Sequence, residues 1–212
     1  MNIHQIYRPI LTHFRIKRLS KFYDFFNITS NTRLLDVGGN MFFWDLARTQ
    51  KLAMPKITII NTYQTSESLP ENIKWVVGDG KKLPFEDLSF DIAFSNSVIE
   101  HLYSWESQVQ FANEIKRVAP NYFVQTPSKN FIVEPHFLTP FIHWFPKNVQ
   151  KNLVQNFTVW GWITRPTQEK CAQMLAELRL LNKKEMGQIF SESHIEIERL
   201  WGWEKSIIAI KK

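Results

Sequence analysis

A chain of 212 residues with 44% hydrophobic content can bury one substantial core, and no window approaches the roughly 20 apolar residues of a membrane span. A single cysteine, Cys171, excludes an internal disulfide and any cysteine-built metal cluster, and suits a cytoplasmic location. The net charge of +6 is spread over short separate runs such as Arg15-Ile16-Lys17-Arg18 and Lys183-Lys184, which is the pattern of a solvated surface and not of a nucleic-acid footprint.

Residues 1–30 read as an N-terminal helical segment. Ile3, Ile6, Ile10, Phe14, Leu19 and Phe22 recur at largely helical spacing with basic residues between them. The plain reading is a helix packed on the domain; the other is a basic, aromatic helix that touches a membrane surface or covers a substrate. Residues 31–212 read as one domain. Arg33–Val37 predicts a short buried strand. Gly38-Gly39 then predicts a tight turn, and a helix starts at Met41 with Asn40 as its N-cap. Strand, glycine turn and helix is how α/β proteins bring backbone N–H groups close to a ligand, and Asp36 stands near the carboxyl end of that strand, where open α/β sheets bind.

Pro55 interrupts the chain. Lys56–Asn61, Ile73–Asp79 and Phe90–Asn96 read as further strands, Glu106–Val118 as a helix closed by Pro120, and Asn121–Thr126 as a fifth strand. Residues 127–166 break this rhythm with five prolines, many aromatics and little regular period, and read as an insertion. Regular structure then returns. Thr167 caps a helix to about Leu178, and Asn182-Lys183-Lys184-Glu185 is a capping box that opens a short helix to Phe190. His194–Leu200 alternates as a half-buried strand does, and Glu204–Lys211 gives the last strand. The expected fold is therefore α/β: a Rossmann-like, doubly wound, mostly parallel seven-stranded sheet in three layers, with a final antiparallel hairpin strand and an aromatic insertion after the fifth strand.

Four sequence pieces occur in a telling order. They are Leu34-Leu35-Asp36-Val37-Gly38-Gly39, then Gly78-Asp79-Gly80 leading to Leu83-Pro84-Phe85, then Ser89-Phe90-Asp91-Ile92-Ala93, then Ile99-Glu100-His101-Leu102. Together they resemble the class I S-adenosylmethionine-dependent methyltransferases, in particular the small-molecule branch typified by quinone-biosynthesis (type 11) enzymes. The resemblance covers roughly residues 32–126. More loosely, Thr126-Pro127 and Glu134-Pro135-His136 resemble methyltransferases encoded near glycan-assembly enzymes. One departure stands out: the family turn usually reads Gly-x-Gly-x-Gly, and here the third small position is Phe42.

The resemblance implies S-adenosylmethionine as cofactor. Asp36 suits its cationic end, and the Gly38 and Gly39 backbone its aminocarboxypropyl chain. The family holds the ribose hydroxyls with an acidic residue at the end of the second strand; this chain has Asn61, which accepts one hydrogen bond and donates another. Asp79 is placed for the adenine amino group and Gly80 for a ring nitrogen. Ser95 and Asn96 end the fourth strand beside the sulfonium, with their carbonyls as contacts. His101 is the candidate general base.

On the acceptor side, Glu134 and His136 project to one side of an extended chain, and could converge with Glu100 and His101 above the sheet. That group reads either as a metal site or as a polar pocket floor, and the floor is preferred, with no metal assigned. Trp144 represents the aromatics of the insertion, which stack on an acceptor, cover a lipid tail or form a second small core. The partner implied is a small-molecule acceptor, such as a glycan or lipid-linked intermediate. Nucleic acid is not expected, because Ser95-Asn96-Ser97-Val98 replaces the Asn/Asp-Pro-Pro-aromatic motif of DNA amino-methylating enzymes. Peripheral membrane contact through the N-terminal helix or the insertion stays open, as does a non-catalytic cofactor-binding module.

Overall fold

The computed structural model describes residues 3–212, with side chains from residue 12 onward. The seven-stranded sheet runs in the order β3-β2-β1-β4-β5-β9-β8. These strands are β1 (Arg33–Val37), β2 (Lys56–Asn61), β3 (Ile73–Val77), β4 (Ile92–Asn96), β5 (Asn121–Pro127), β8 (His194–Leu200) and β9 (Trp203–Lys211). The first five are mutually parallel; β9 runs antiparallel between β5 and β8. The expected mixed sheet is thus present, and β3 and β4 are each shorter than the sequence suggested.

Alternation along the strands builds one core on each face. On one face, Leu34, Ile57, Ile59, Phe94, Phe123 and Ile208 meet α1 (Ile3–Phe26) and α2 (Met41–Thr49). Leu19, Phe22, Tyr23 and Phe26 fall at i, i+3, i+4 and i+7 of α1 and are all buried, so this end of the helix packs on the sheet. On the other face, Leu35, Val37, Ala93, Val124 and Ile207 meet α3 (Trp105–Val118) and α7 (Lys183–Ile189). The helix starts follow local chemistry. Asn40 accepts from the Phe42 N–H, Ser104 caps α3, Thr167 caps α6 (Gln168–Glu177), and Asn182 with Glu185 forms a complete capping box on α7.

Two expectations are corrected. Residues 127–166 are not irregular throughout: they contain a small hairpin, β6 (Val133–Glu134) and β7 (Thr139–Pro140), a 3₁₀ turn at Ile142–Trp144, and helices α4 (Lys147–Phe157) and α5 (Val159–Thr164). The period of α4 is too sparse to read, because only Gln150 and Val154 are buried along it. With α6 these helices enclose a third core of Phe137, Leu138, Val154, Trp160, Cys171 and Leu175. The second correction is Arg18, part of a run taken for solvated surface. It is 4% exposed, paired with Glu198 at 2.6 Å, and donates to Gln125 and Asn96 at the carboxyl end of β4 and β5.

Candidate functional site

At the carboxyl ends of β1–β4 lies a cleft of about 750 Å³, lined by Gly38, Asn61, Asp79, Gly80 and His101 among others. Its apolar wall comes from Ile60, Val77, Val98, Leu102 and Phe111. Five of the sequence-predicted site residues therefore share one cavity.

The glycine turn explains itself in atoms. Gly38 has φ +77°, and a Cβ there would stand 2.6 Å from a Val98 methyl. Any side chain would meet both strain and a clash. Gly39 is needed for another reason: its Cβ would fall 1.8 Å from Asp36 Oδ2. The Asp36 carboxyl is thus packed beneath the turn and is not among the groups that line the cleft. Oδ2 accepts from Trp44 Nε1 at 2.8 Å, while Oδ1 is buried without a partner. Burial raises its pKa to about 7, and the Trp44 hydrogen bond tempers the rise. Phe42, at the position where the family turn has its third glycine, lies under the Arg15 guanidinium, 4.9 Å from ring centroid to Cζ, and so faces α1 instead of crowding the turn.

Asn61 is fixed on both sides. Nδ2 donates to the Gly39 carbonyl at 2.9 Å and Oδ1 accepts from the Thr62 N–H at 2.8 Å. One amide hydrogen and one lone pair stay available to a ligand. Asp79 accepts from the Lys81 N–H at 2.9 Å and keeps about half its side-chain surface (52%) open. This donor and acceptor set, with apolar walls beside it, fits a nucleoside: a diol for Asn61, an amino group for Asp79, a flat apolar ring between Val77 and Phe111. Ser95 Oγ donates to the Val37 carbonyl and is fully buried, and Asn96 accepts from Arg18, so both brace the strand end. The cleft is lined instead by the next two residues, Ser97 and Val98.

His101 ends a 3₁₀ turn (Ile99–His101) and also borders a second recess of about 240 Å³ with Lys170, Gln173, Met174, Glu177 and Leu178. Glu177 lines both cavities. His101 is exposed at the surface, but the protein packed around one side of its ring and the neighbouring His136 push its pKa down, to about 4, and its imidazole is neutral at physiological pH. His136 lies edge-on to it at 4.9 Å between ring centroids. Glu134 Oε1 meets His136 Nδ1 at 2.6 Å, and Oε2 accepts from the Phe137 N–H at 2.7 Å. Burial works to lower the His136 pKa, but Glu134 and Glu100 outweigh it and hold it above the ordinary value. Glu100 is wholly buried; one oxygen accepts from Thr126 Oγ1 at 2.9 Å, the other has no partner, and burial lifts it to about 7.

Glu100, His101 and His136 offer ligand-type atoms within 4.8 Å of one another, so the convergence expected of this group is present. Glu134 and His136 sit behind His101 and outside the cleft. Trp144 is not brought in at all: it is 47% exposed, donates Nε1 to the Lys129 carbonyl, and lines neither cavity that holds His101. The α6 residues Lys170, Gln173 and Glu177 were missed. In sequence they are polar positions on one helical face, indistinguishable from a solvent face. Ser97 and Tyr103 were missed as well; both have positive φ (60° and 58°), a feature that no residue type there announces.

Residues 52–121 match a family model described as a methyltransferase domain. No curated protein matches the chain. Among solved structures, the magnesium protoporphyrin IX methyltransferase of Synechocystis PCC 6803, with bound SAH, is similar at 12% identity and TM-score 0.57, over 100% of this chain and 89% of that one. A SAM-dependent methyltransferase from Aquifex aeolicus is similar at 16% identity and TM-score 0.50, over 91% and 88%. A Rhodobacter sphaeroides protein provisionally named a zinc-dependent alcohol dehydrogenase is similar at 9% identity and TM-score 0.59, over 92% and 87%. At such identities the structures speak for the fold, and the sequence match over residues 52–121 speaks for the domain.

Proposed function

We propose that this chain, a methyltransferase domain of the class I, S-adenosylmethionine-dependent fold, moves a methyl group from that cofactor to a small-molecule acceptor such as a glycan or lipid-linked intermediate. The observation that carries the reading is His101, which borders both the nucleoside-shaped cleft and the recess beside α6. When bound, S-adenosylmethionine supplies an electrophilic methyl on a sulfonium. The chain's residues do the rest. Gly38 brings its backbone against the cofactor. Asn61 gives its free amide hydrogen and lone pair to the ribose diol, and Asp79 accepts from the adenine amino group. Gly80 offers its N–H to the ring, and a Cβ there would come within 2.9 Å of the Phe111 ring. Val98 and Leu102 keep water from the methyl's surroundings, while Phe111 walls the end that takes the ring. Asp36, packed beneath the turn against Gly39 and Trp44, sets the position of the glycine backbone that meets the cofactor's cationic end.

His101 takes the proton of an acceptor hydroxyl onto a ring nitrogen; its lowered pKa keeps that nitrogen unprotonated. Lys170, Gln173 and Glu177 supply polar contacts suited to a hydroxyl-rich acceptor. Glu134 and His136 support His101 from behind, and Glu100 anchors the turn that carries it. The test is transfer of a labelled methyl group from S-adenosylmethionine to a panel of hydroxylated small molecules, glycans and lipid-linked sugars. Label in an acceptor, lost in His101→Ala with cofactor affinity retained, is the expected result. Cofactor binding with no transfer to any class would favour a non-catalytic module.

A further inference from the structure

We propose that the edge of the molecule formed by the β8–β9 turn and the 3₁₀ turn at Ile142–Trp144 docks on an anionic phospholipid bilayer. Large aromatics stand in water there: Trp201 is 83% exposed, Trp144 47%, Phe145 47%, Trp203 43% and Phe141 43%. They form one patch drawn from distant sequence, since Phe141 and Trp144 lie 5.2 Å apart by ring centroid and Trp144 and Trp203 6.3 Å. Monomeric proteins seldom leave such a patch uncovered, and Trp in particular settles where apolar and polar media meet.

Charge decides which occupant fits. Residues 1–23 hold Arg8, Arg15, Lys17, Arg18 and Lys21 and no Asp or Glu, so this stretch carries most of the chain's net charge of +6. Arg18 and Lys21 are spent on Glu198 and Glu196, but Lys17 is exposed and Arg15 faces an aromatic ring. The basic helix and the aromatic patch are joined: Lys205, two residues after Trp203 on β9, sits 4.0 Å over the Phe14 ring of α1, and being largely buried and paired with Glu198 at 3.7 Å it serves as a link, while the cation beside the patch is the exposed Lys129, whose carbonyl accepts from Trp144 Nε1. Nearby Glu204 is itself matched by Arg199 at 4.0 Å. Aromatic tips with cations beside them are the chemistry of a surface that rests in lipid headgroups. No described helix is long and apolar enough to cross a membrane, so the mode is docking on the surface.

The position is functional. Ser206 of β9 pairs with Pro127 at the carboxyl end of β5, so the β8–β9 turn lies at the same end of the sheet as the cleft. A bilayer at this edge would deliver lipid-anchored acceptors to the His101 side; that consequence alone rests on the methyltransferase reading, and docking itself does not.

The test is co-sedimentation of the full chain with vesicles of phosphatidylglycerol and phosphatidylcholine, against phosphatidylcholine alone, at two salt concentrations. Expected is binding to the anionic vesicles that falls at least tenfold at high salt, with tryptophan quenching by brominated lipid. Trp201→Ser with Trp203→Ser should weaken vesicle binding at least tenfold. Trp201→Ser alone, at a position 83% exposed, keeps the test valid if the double variant misfolds, and should lose about threefold or more. Cofactor affinity by calorimetry should not move in either variant, which separates this proposal from the methyltransferase reading. No binding to anionic vesicles, equal binding by the tryptophan variants, full competition by free inorganic phosphate, or a self-association that the same substitutions abolish would each overturn it.

Discussion

The cleft proposed for the cofactor and the side proposed for the acceptor differ in what they are made of. The cleft is made of backbone: a glycine at φ +77°, a second glycine pressed on a buried carboxyl, an amide whose two ends are tied to main chain. The acceptor side is made of side chains on short elements, with His101 on a three-residue turn and its neighbours on α6 and a two-residue strand. Geometry imposed by backbone restricts residue type, so the cleft is written in glycines and strand-end polar residues. A recess lined by long polar side chains restricts residue type far less, and its specificity can change without changing the fold.

Substitutions at four positions, one of them with a compensating second change, sharpen or break that division. The largest effect is expected from His101→Ala, which should lower kcat by about 10²–10⁴-fold when the acceptor is a hydroxyl, with cofactor affinity nearly unchanged. A parallel loss of cofactor binding would erase the boundary between the two sides. The pH profile adds to this test. The His101 pKa lies low, at about 4, so protonation removes the base only as pH falls toward that value. The kcat should stay flat through the ordinary imidazole range near ~6.5. A midpoint near ~6.5 would assign the titration elsewhere.

Gly38→Ala should cost about 1–3 kcal/mol of folding stability, the range for a non-glycine residue forced into left-handed backbone, and should weaken the cofactor at least tenfold. Adding Val98→Ala opens the space that the new Cβ needs and should recover part of the stability by denaturant titration, leaving the φ cost. Full recovery would mean that the clash alone matters.

Asp79→Ala should weaken the cofactor by about 1–2 kcal/mol, toward the lower end for a charge-assisted hydrogen bond because the carboxylate is half open to water. Calorimetry at low and high salt reads it.

The smallest effect concerns Glu100→Gln. The folded-state pKa of Glu100 is raised to about 7, so its ionisation costs stability that is fully present below the unfolded value and lost as pH rises through 7. The glutamine variant cannot ionise. Its stability relative to the parent should improve by about 1 kcal/mol per pH unit between the ordinary carboxyl value of 4.5 and about 7, and level off above that, measured by thermal or urea unfolding at pH 5, 7 and 8. Parallel pH profiles would place the Glu100 proton outside the buried network with His136.

The same division explains what was legible in sequence. Asn40, Ser104, Thr167 and the Asn182/Glu185 box set helix starts by contacts two or three residues away, and such local chemistry reads directly. The first strands were legible as short apolar runs because both faces of the sheet are packed, and alternation marked only the half-buried β8. Arg18 was illegible because its partner Glu198 is 180 positions away. Ser97 and Val98 were not legible as cleft lining because a strand's end in sequence does not tell which residues fold inward over it. The aromatics of the insertion split between a buried set, Phe137 and Trp160, and an exposed set, Trp144 and Trp162, according to tertiary packing that the local pattern does not encode.

The most direct measurement is isothermal titration of the full chain with S-adenosylmethionine and with S-adenosylhomocysteine, repeated on Asp79→Ala and Gly38→Ala. The account predicts one site per chain for both ligands, weakened about tenfold by the first substitution and at least as much by the second. No heat of binding from a folded chain, or an affinity that neither substitution changes, would contradict the assignment of the cleft.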